Sequence, residues 1–106
     1  MATGRLGASN VSATTNTTVY TCPADTYAVV AVNICNRGTS TSALRIAIAD
    51  ADTPTAAEYI EYDSSVFANN VLERTGIVLS AGQRVVVYSS QANISAVVVG
   101  IETSAA

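Results

Sequence analysis

The sequence contains no lysine, no histidine and no tryptophan, and its five basic residues, all arginine, face eight acids for a net charge of -3. Nucleic-acid binding rests on a basic patch that neutralises phosphates. Arg5, Arg37, Arg45, Arg74 and Arg84 are scattered singly, so no nucleic-acid partner is expected. Without His or Lys, the commonest general base and the commonest Schiff-base nucleophile are missing. Neither a G-x-S-x-G elbow nor a G-x-x-x-x-G-K-[ST] loop occurs. Two separated cysteines with no histidine cannot complete a structural zinc site. The expectation is a protein that is not an enzyme and carries no cofactor. Long apolar runs are missing too: no stretch of about 18 apolar residues exists, and Met1–Asn10 has neither a charged n-region nor an apolar h-region. No membrane partner is expected, and the chain reads as a soluble protein made in a cytoplasm.

Charge is scarce as well. Charged residues make up 12% of the chain against 49% hydrophobic, where ordinary soluble domains carry about 25% charged. So neutral a surface suits a protein embedded among neighbours, although a monomer coated in Ser, Thr, Asn and Ala would have the same composition. The 106 residues make one domain, large enough for folding to bury roughly 65% of the unfolded surface.

What is present is β-strand pattern. Val71–Ser90 reads as the centre of the fold: Ile77–Leu79 and Val85–Tyr88 flank Ser80-Ala81-Gly82-Gln83. Val, Ile and Tyr suit a pleated packed surface, and Gly82 can take a positive φ, so the stretch predicts an antiparallel hairpin. Residues 1–17 are poor in large apolar side chains, Leu6 and Val11 excepted. They read either as a frayed terminus or as an extended N-terminal arm lying on a neighbouring subunit, with Leu6 as anchor and Arg5 paired to an acid. Residues 18–106 form the domain. Thr18–Cys22 is a strand ended by Pro23. Tyr27–Cys35 and Ile94–Ile101 are apolar on both faces, so both faces are expected to be covered. Ala43–Ala49 alternates, with Leu44, Ile46 and Ile48 on one side. Phe67 reads as a core plug, and Gly76 as a break or bulge in its strand. About eight short strands with turn signals every 8–12 residues predict an all-β fold, an antiparallel β-sandwich of jelly-roll type. An immunoglobulin-like sandwich would lack its core tryptophan.

Candidate chemistry is thin. In Glu58–Asp63 the alternation places Tyr59, Glu61 and Asp63 on one face, with Ile60 and Tyr62 opposite. Carboxylates two apart on a strand sit about 6.5–7 Å apart, but they flank no cleft as a glycosidase pair must. Tyr59 with its acid neighbours could stack on a sugar; packing at a subunit contact is the simpler role. Asp50, Asp52 and Glu58 could make a loose oxygen site for a cation, but Pro54 and Thr55 occupy positions where an EF-hand loop needs a ligand and a glycine. Three N-x-[ST] triplets, at Asn10, Asn16 and Asn93, are expected in so Ser/Thr/Asn-rich a chain. If Pro23–Asp25 turns the chain within one sheet, Cys35 lies about 20 Å along the strand from the position opposite Cys22. That is far beyond the Cα separation of about 7 Å that a disulfide tolerates. Two free, mostly buried thiols are expected, with a bridge possible only between different sheets.

Several segments taken together, GRLGA, TTNTTVYTCP, VNICNRG, YIEYD, LERTGIVLSAGQRVVVYSS and VVVGIE, span Gly4 to Glu102. They resemble a group of small virion proteins of tailed phages, many of them seen in cyanophages. The resemblance implies a β-sandwich that assembles into oligomers on the particle, as capsid decoration or cement or as part of a tail, baseplate or fibre, with no active site. The expectation is a virion component working as a homotrimer on the major capsid protein. Its subunit-contact candidates are Arg5, Leu6, Tyr59, Val97 and Val99. A carbohydrate-binding β-sandwich module is the alternative from another class.

Overall fold

Eight strands order the described residues: β1 (Thr3–Val11), β2 (Thr17–Thr21), β3 (Thr26–Asn36), β4 (Ser42–Ala49), β5 (Tyr59–Val66), β6 (Val71–Leu79), β7 (Arg84–Ser89) and β8 (Ile94–Ser104). The structure is a computed structural model that describes residues 2–105. Met1 of the expected arm and Ala106 of the expected domain lie outside the described residues. Two antiparallel four-stranded sheets form, in the orders β1-β8-β3-β6 (sheet A) and β2-β7-β4-β5 (sheet B). The hydrogen-bonded neighbours include 1 with 8, 2 with 7, 3 with 6 and 4 with 5. This nested pairing is the jelly-roll winding of a β-sandwich. Among the connections, the one between β4 and β5 stays within a sheet, and the others cross between sheets.

The core is set by period-2 alternation. Ala28, Val30, Val32 and Ile34 of β3 and Ile94, Ala96 and Val98 of β8 point inward from sheet A. They meet Leu44 and Ile46 of β4 and Val85 and Val87 of β7 from sheet B. Because successive strand residues face opposite sides, these choices also fix what each sheet turns outward.

Bulges adjust that alternation where the sheets meet at their edges. Val30 pairs with Ile77 and Val32 with Arg74, so one residue of β3 opposes two of β6, and Gly76 sits there with φ +71. The bulge expected at Gly76 is therefore present. In β1 the register slips between Arg5 and Gly7, and in β2 between Thr18 and Tyr20. The extra residue in β1 is Leu6, which packs against the core. Beside it a Cβ on Gly7 would lie 2.2 Å from the Val19 carbonyl oxygen, so the two edge strands touch backbone to backbone. The opposite side is spanned by Arg74 of β6, whose Nη1 lies 2.9 Å from Glu61 Oε2 of β5.

Three expectations are corrected here. Residues 3–11 are not an arm or a frayed end: they are β1, paired along its length with β8 of the same chain. Their small side chains suit an edge strand whose backbone must approach β2 closely. The central hairpin does not form either. Gly82 does have φ +83, and Gln83 N donates to Ser80 O at 3.0 Å, so the tight turn is real. It nevertheless joins β6 of sheet A to β7 of sheet B, and Gly82 N is held by Cys22 O at 2.9 Å. Phe67 is not a core plug, being 62% exposed, while Val66 takes the inward position beside buried Ser42.

A Cβ at Gly82 would meet nothing within 4 Å, so the penalty for a side chain there is one of backbone strain alone. Gly82→Val is expected to lose on the order of 1–3 kcal/mol. Ala81→Val, at an ordinary φ, should lose less. Thermal melts of the two variants check the order; equal melting temperatures would contradict it.

Candidate functional site

Sheet A turns an apolar face to solvent. The ladder lines up Val78 with Val29 and Val29 with Ile101, then Ala31 with Val99, then Asn33 with Val97. Tyr27 extends the row at one end, and Val71 beside Cys35 at the other. Of the eight exposed large apolar side chains among the described residues, five lie on this face: Tyr27, Val29, Val71, Val78 and Ile101. Val29 is 45% and Val78 61% exposed, although Val29 belongs to an interior strand. Sequence reasoning singled out Val97 and Val99; the structure places both on this face, half-buried between β1 and β3. Arg5 pairs with Val99 on the β1 edge of the same face, whereas Leu6 turns into the core. A shallow hollow lined by Ala8, Asn10, Ser95 and Val97 marks the β1–β8 join.

The outer face of sheet B is of another kind. Arg45 projects between Tyr62 and Tyr88, its guanidinium carbon 4.2 and 4.5 Å from the two ring centroids. Its Nε donates to Asp63 Oδ1 at 2.7 Å, and that bond, the largest influence, raises the guanidinium's pKa further. Tyr59 meets Tyr62 edge-on at 5.0 Å between centroids and rests on Ala47, Ala49 and Val86. Tyr59 is therefore held down as packing, and Tyr62 is the ring offered to solvent.

The expected face of Tyr59, Glu61 and Asp63 does not exist. Between β4 and β5 the register shifts twice, between Leu44 and Ile46 and between Ile46 and Ala47, and Asp63 has φ +55. Each extra residue reverses the side to which the rest of the strand points. Tyr59 and Asp63 end on the outer face, near Ala47 and Arg45. Glu61, opposite Ile46, turns to the sandwich edge, where it accepts from Arg74 and from Ser64 Oγ. No sequence signal marked the Arg45–Tyr62–Tyr88 stack, because Tyr62 was read on the other side.

The acidic loop is bound up in its own hydrogen bonds. Asp52 accepts from Thr18 Oγ1 at 2.6 Å and from Arg84 Nη1 at 2.8 Å, and both bonds hold its pKa below the usual carboxylate range. Glu58 accepts from the backbone N–H of Thr55 at 2.8 Å and of Asp50 at 3.2 Å, which lowers its pKa likewise. These carboxylates fasten the loop across sheet B rather than converge on one point, and among the described residues no cluster of three metal-ligating side chains occurs.

Both cysteines are free. Cys22 is buried near the Thr26 and Leu79 carbonyls, and burial raises its pKa. Cys22 directly follows β2 of sheet B and Cys35 lies in β3 of sheet A, the one case in which a bridge was conceivable. Cys35, however, faces outward from sheet A and is only half-buried, while Cys22 lies inside, so the sheet separates them. Near the N-terminal edge, Tyr20 Oη donates to Glu102 Oε2 at 2.5 Å. Desolvation and that carboxylate push the phenol's pKa up.

No protein family, no curated protein and no solved structure matches the chain.

Proposed function

We propose that the protein is a non-enzymatic structural component of a tailed-phage virion, a capsid-decorating or cementing protein that works by burying the outer face of sheet A between its own subunits. The single observation that carries this reading is that face: five exposed large apolar side chains on one sheet of a chain poor in charge. Contiguous apolar surface beyond a few hundred Å² marks an interaction site on a soluble protein. At about 25 cal/mol per Å² of apolar surface covered, modest contacts repeated around a shell add up. Jelly rolls serve capsids and lectins alike, so the winding itself supports this reading only by analogy. The major capsid protein is the partner this reading supplies, and the virion is its location.

The experiment is a stained gel of purified virions. The 10.9 kDa chain is expected in numbers comparable with the major capsid protein. A few copies per particle would move it to the tail, baseplate or fibre. A second reading rests on Tyr62, which is 58% exposed beside Arg45 and Asp63 and could stack on a sugar ring. Glycan retention that is lost in a folded Tyr62→Ala variant would replace the first reading by that one.

A further inference from the structure

The strands place two charged residues on the outer face of sheet A. Arg5 stands on edge strand β1 in the row of Val99 and Ala31, and Glu73 stands on the opposite edge strand, β6, in the row of Asn33 and Val97. Both are exposed, and neither has an ion pair or a side-chain hydrogen bond among the described residues. The other four arginines are engaged, Arg37 with Asn10, Arg45 with Asp63, Arg74 with Glu61 and Arg84 with Asp52. Arg5 and Glu73 thus stand without a partner on opposite rims of the most apolar surface of a chain short of charge, while Arg37, just past β3, holds only the neutral Asn10 at one end of that face.

We infer that this surface is covered by a second copy of the same chain, the two sheet A faces packing together about a two-fold axis that runs parallel to the strands, with Arg5 of each copy opposite Glu73 of the other. The inference rests on reading this face as the working surface, as above, and names its occupant. Two sheets packed face to face keep their strands roughly aligned, which leaves two kinds of two-fold axis in the interface plane. An axis across the strands lays β1 over the partner's β1 and sets Arg5 near a second Arg5. An axis along the strands lays β1 over β6 and pairs opposite charges on both rims at once. Like charges brought together oppose association, so the charge pattern selects the second arrangement.

The dimensions agree. Packed sheets lie about 10 Å apart, and Arg5 and Glu73 are offset by two strand residues, about 7 Å; an arginine and a glutamate reaching from opposite sides span that. Four strands at about 4.8 Å spacing, each roughly 30 Å long, give a face of roughly 500 Å², so two copies bury about 1,000 Å², the lower bound expected of a biological interface. Its centre is apolar, on Val29, Val99 and Ile101, and its rims are charged, as interfaces of this class are built.

Sedimentation of the isolated chain at micromolar concentration tests the inference. The expected result is a dimer. Arg5→Glu and Glu73→Arg should each weaken it roughly tenfold, because two symmetric pairs turn from attraction to repulsion, and the double exchange should recover the parent affinity. Val29→Asp should leave a monomer, and a melting curve confirms that it stays folded. A parent monomer, a trimer, a dimer indifferent to Val29→Asp, or a double exchange without recovery would each overturn the arrangement. A parent monomer that is nonetheless abundant on virions would overturn the dimer and leave the proposed function standing. A dimer with charge-swap recovery but scarce in virions would do the reverse.

Discussion

Gly100→Ala is expected to be the most damaging single-methyl change in the protein. Gly100 lies in β8 between Gly4 of β1 and Val30 of β3, at an ordinary backbone conformation. A Cβ there would lie 2.1 Å from the Val29 carbonyl oxygen and 2.8 Å from Val30 Cα. Both are backbone atoms of the neighbouring strand, so no side chain can swing aside and the ladder itself must part. Overpacking a well-packed core costs about 1–3 kcal/mol and occasionally more; with backbone rather than side chain as the obstacle the loss should reach about 3 kcal/mol or more, a large share of a typical 5–15 kcal/mol. For a domain of this size that lowers the melting temperature by on the order of 10–20 °C. Gly76→Ala is the comparison, since its Cβ would meet nothing within 4 Å and only its φ of +71 opposes it. Should Gly100→Ala melt no lower than Gly76→Ala, the close approach of β8 to β3 is disproved.

Asn36→Ala should come next. Asn36 ends β3, almost fully buried, and its side chain ties together three pieces of chain. Nδ2 donates to the carbonyls of Ser40 at 2.9 Å and Val66 at 3.0 Å, while Oδ1 accepts from Gly38 N at 2.9 Å. Its own backbone exchanges hydrogen bonds with the 69–70 turn, from Asn36 N to Asn70 O and from Asn69 N to Asn36 O, each at 2.9 Å. Alanine would leave the Val66 carbonyl unmet in a buried place and the Ser40 carbonyl and Gly38 N–H unmet in part-buried ones, where a fully buried group costs about 1–3 kcal/mol. Water entering the gap recovers part of this, and a net loss of roughly 3 kcal/mol is expected. Asn33→Ala, on the outward side of the same strand, should change stability by no more than about 0.5 kcal/mol. Hydrogen exchange provides a second readout: the Gly38 amide should lose protection in Asn36→Ala. Equal melting of the two variants would show that the buried amide holds nothing together.

Much of the strand inventory was legible because alternation is a local property. Leu44, Ile46 and Ile48 announce the inward side of β4, and Gly76 and Gly82 mark a bulge and a turn that the backbone confirms with positive φ. What failed was non-local. Ser80–Gln83 reverses the chain tightly, and a reversal looks the same whether the next strand returns beside its predecessor or crosses to the facing sheet. The choice is made by β8 and β3, which flank each other in sheet A and leave β6 an edge there. The face of Tyr59 and Asp63 was lost for a related reason: two bulges in β5 carry no glycine to betray them, and one of them rests on Asp63 in the left-handed region. β1 was hidden by its small residues, whose purpose is visible only once Gly7 is seen against Val19. Asn36 gave no signal, since a buried amide and an exposed one are the same letter. Of the candidate surface, the apolar runs of β3 and β8 were readable and Val78 on β6 was not, because its side depends on the Gly76 bulge.

The nested pairing of 4 with 5, 3 with 6, 2 with 7 and 1 with 8 also dictates an order of events. The pair nearest in sequence, β4 with β5, closes a short loop, and each further pair encloses the one before it, so the entropy of closure is met in small steps only if the chain zips outward from that pair. Sheet A is incomplete until β8 arrives, because β8 lies between β1 and β3 and binds both. On a ribosome, then, a nascent chain can close the β4–β5 and β3–β6 pairs but must hold β1 and the β8-facing backbone edge of β3 unpartnered until residues 94–104 have emerged. Folding is correspondingly slow for so small a protein, as its contacts are predominantly long-range, and that interval is when chains translated side by side are most exposed to one another.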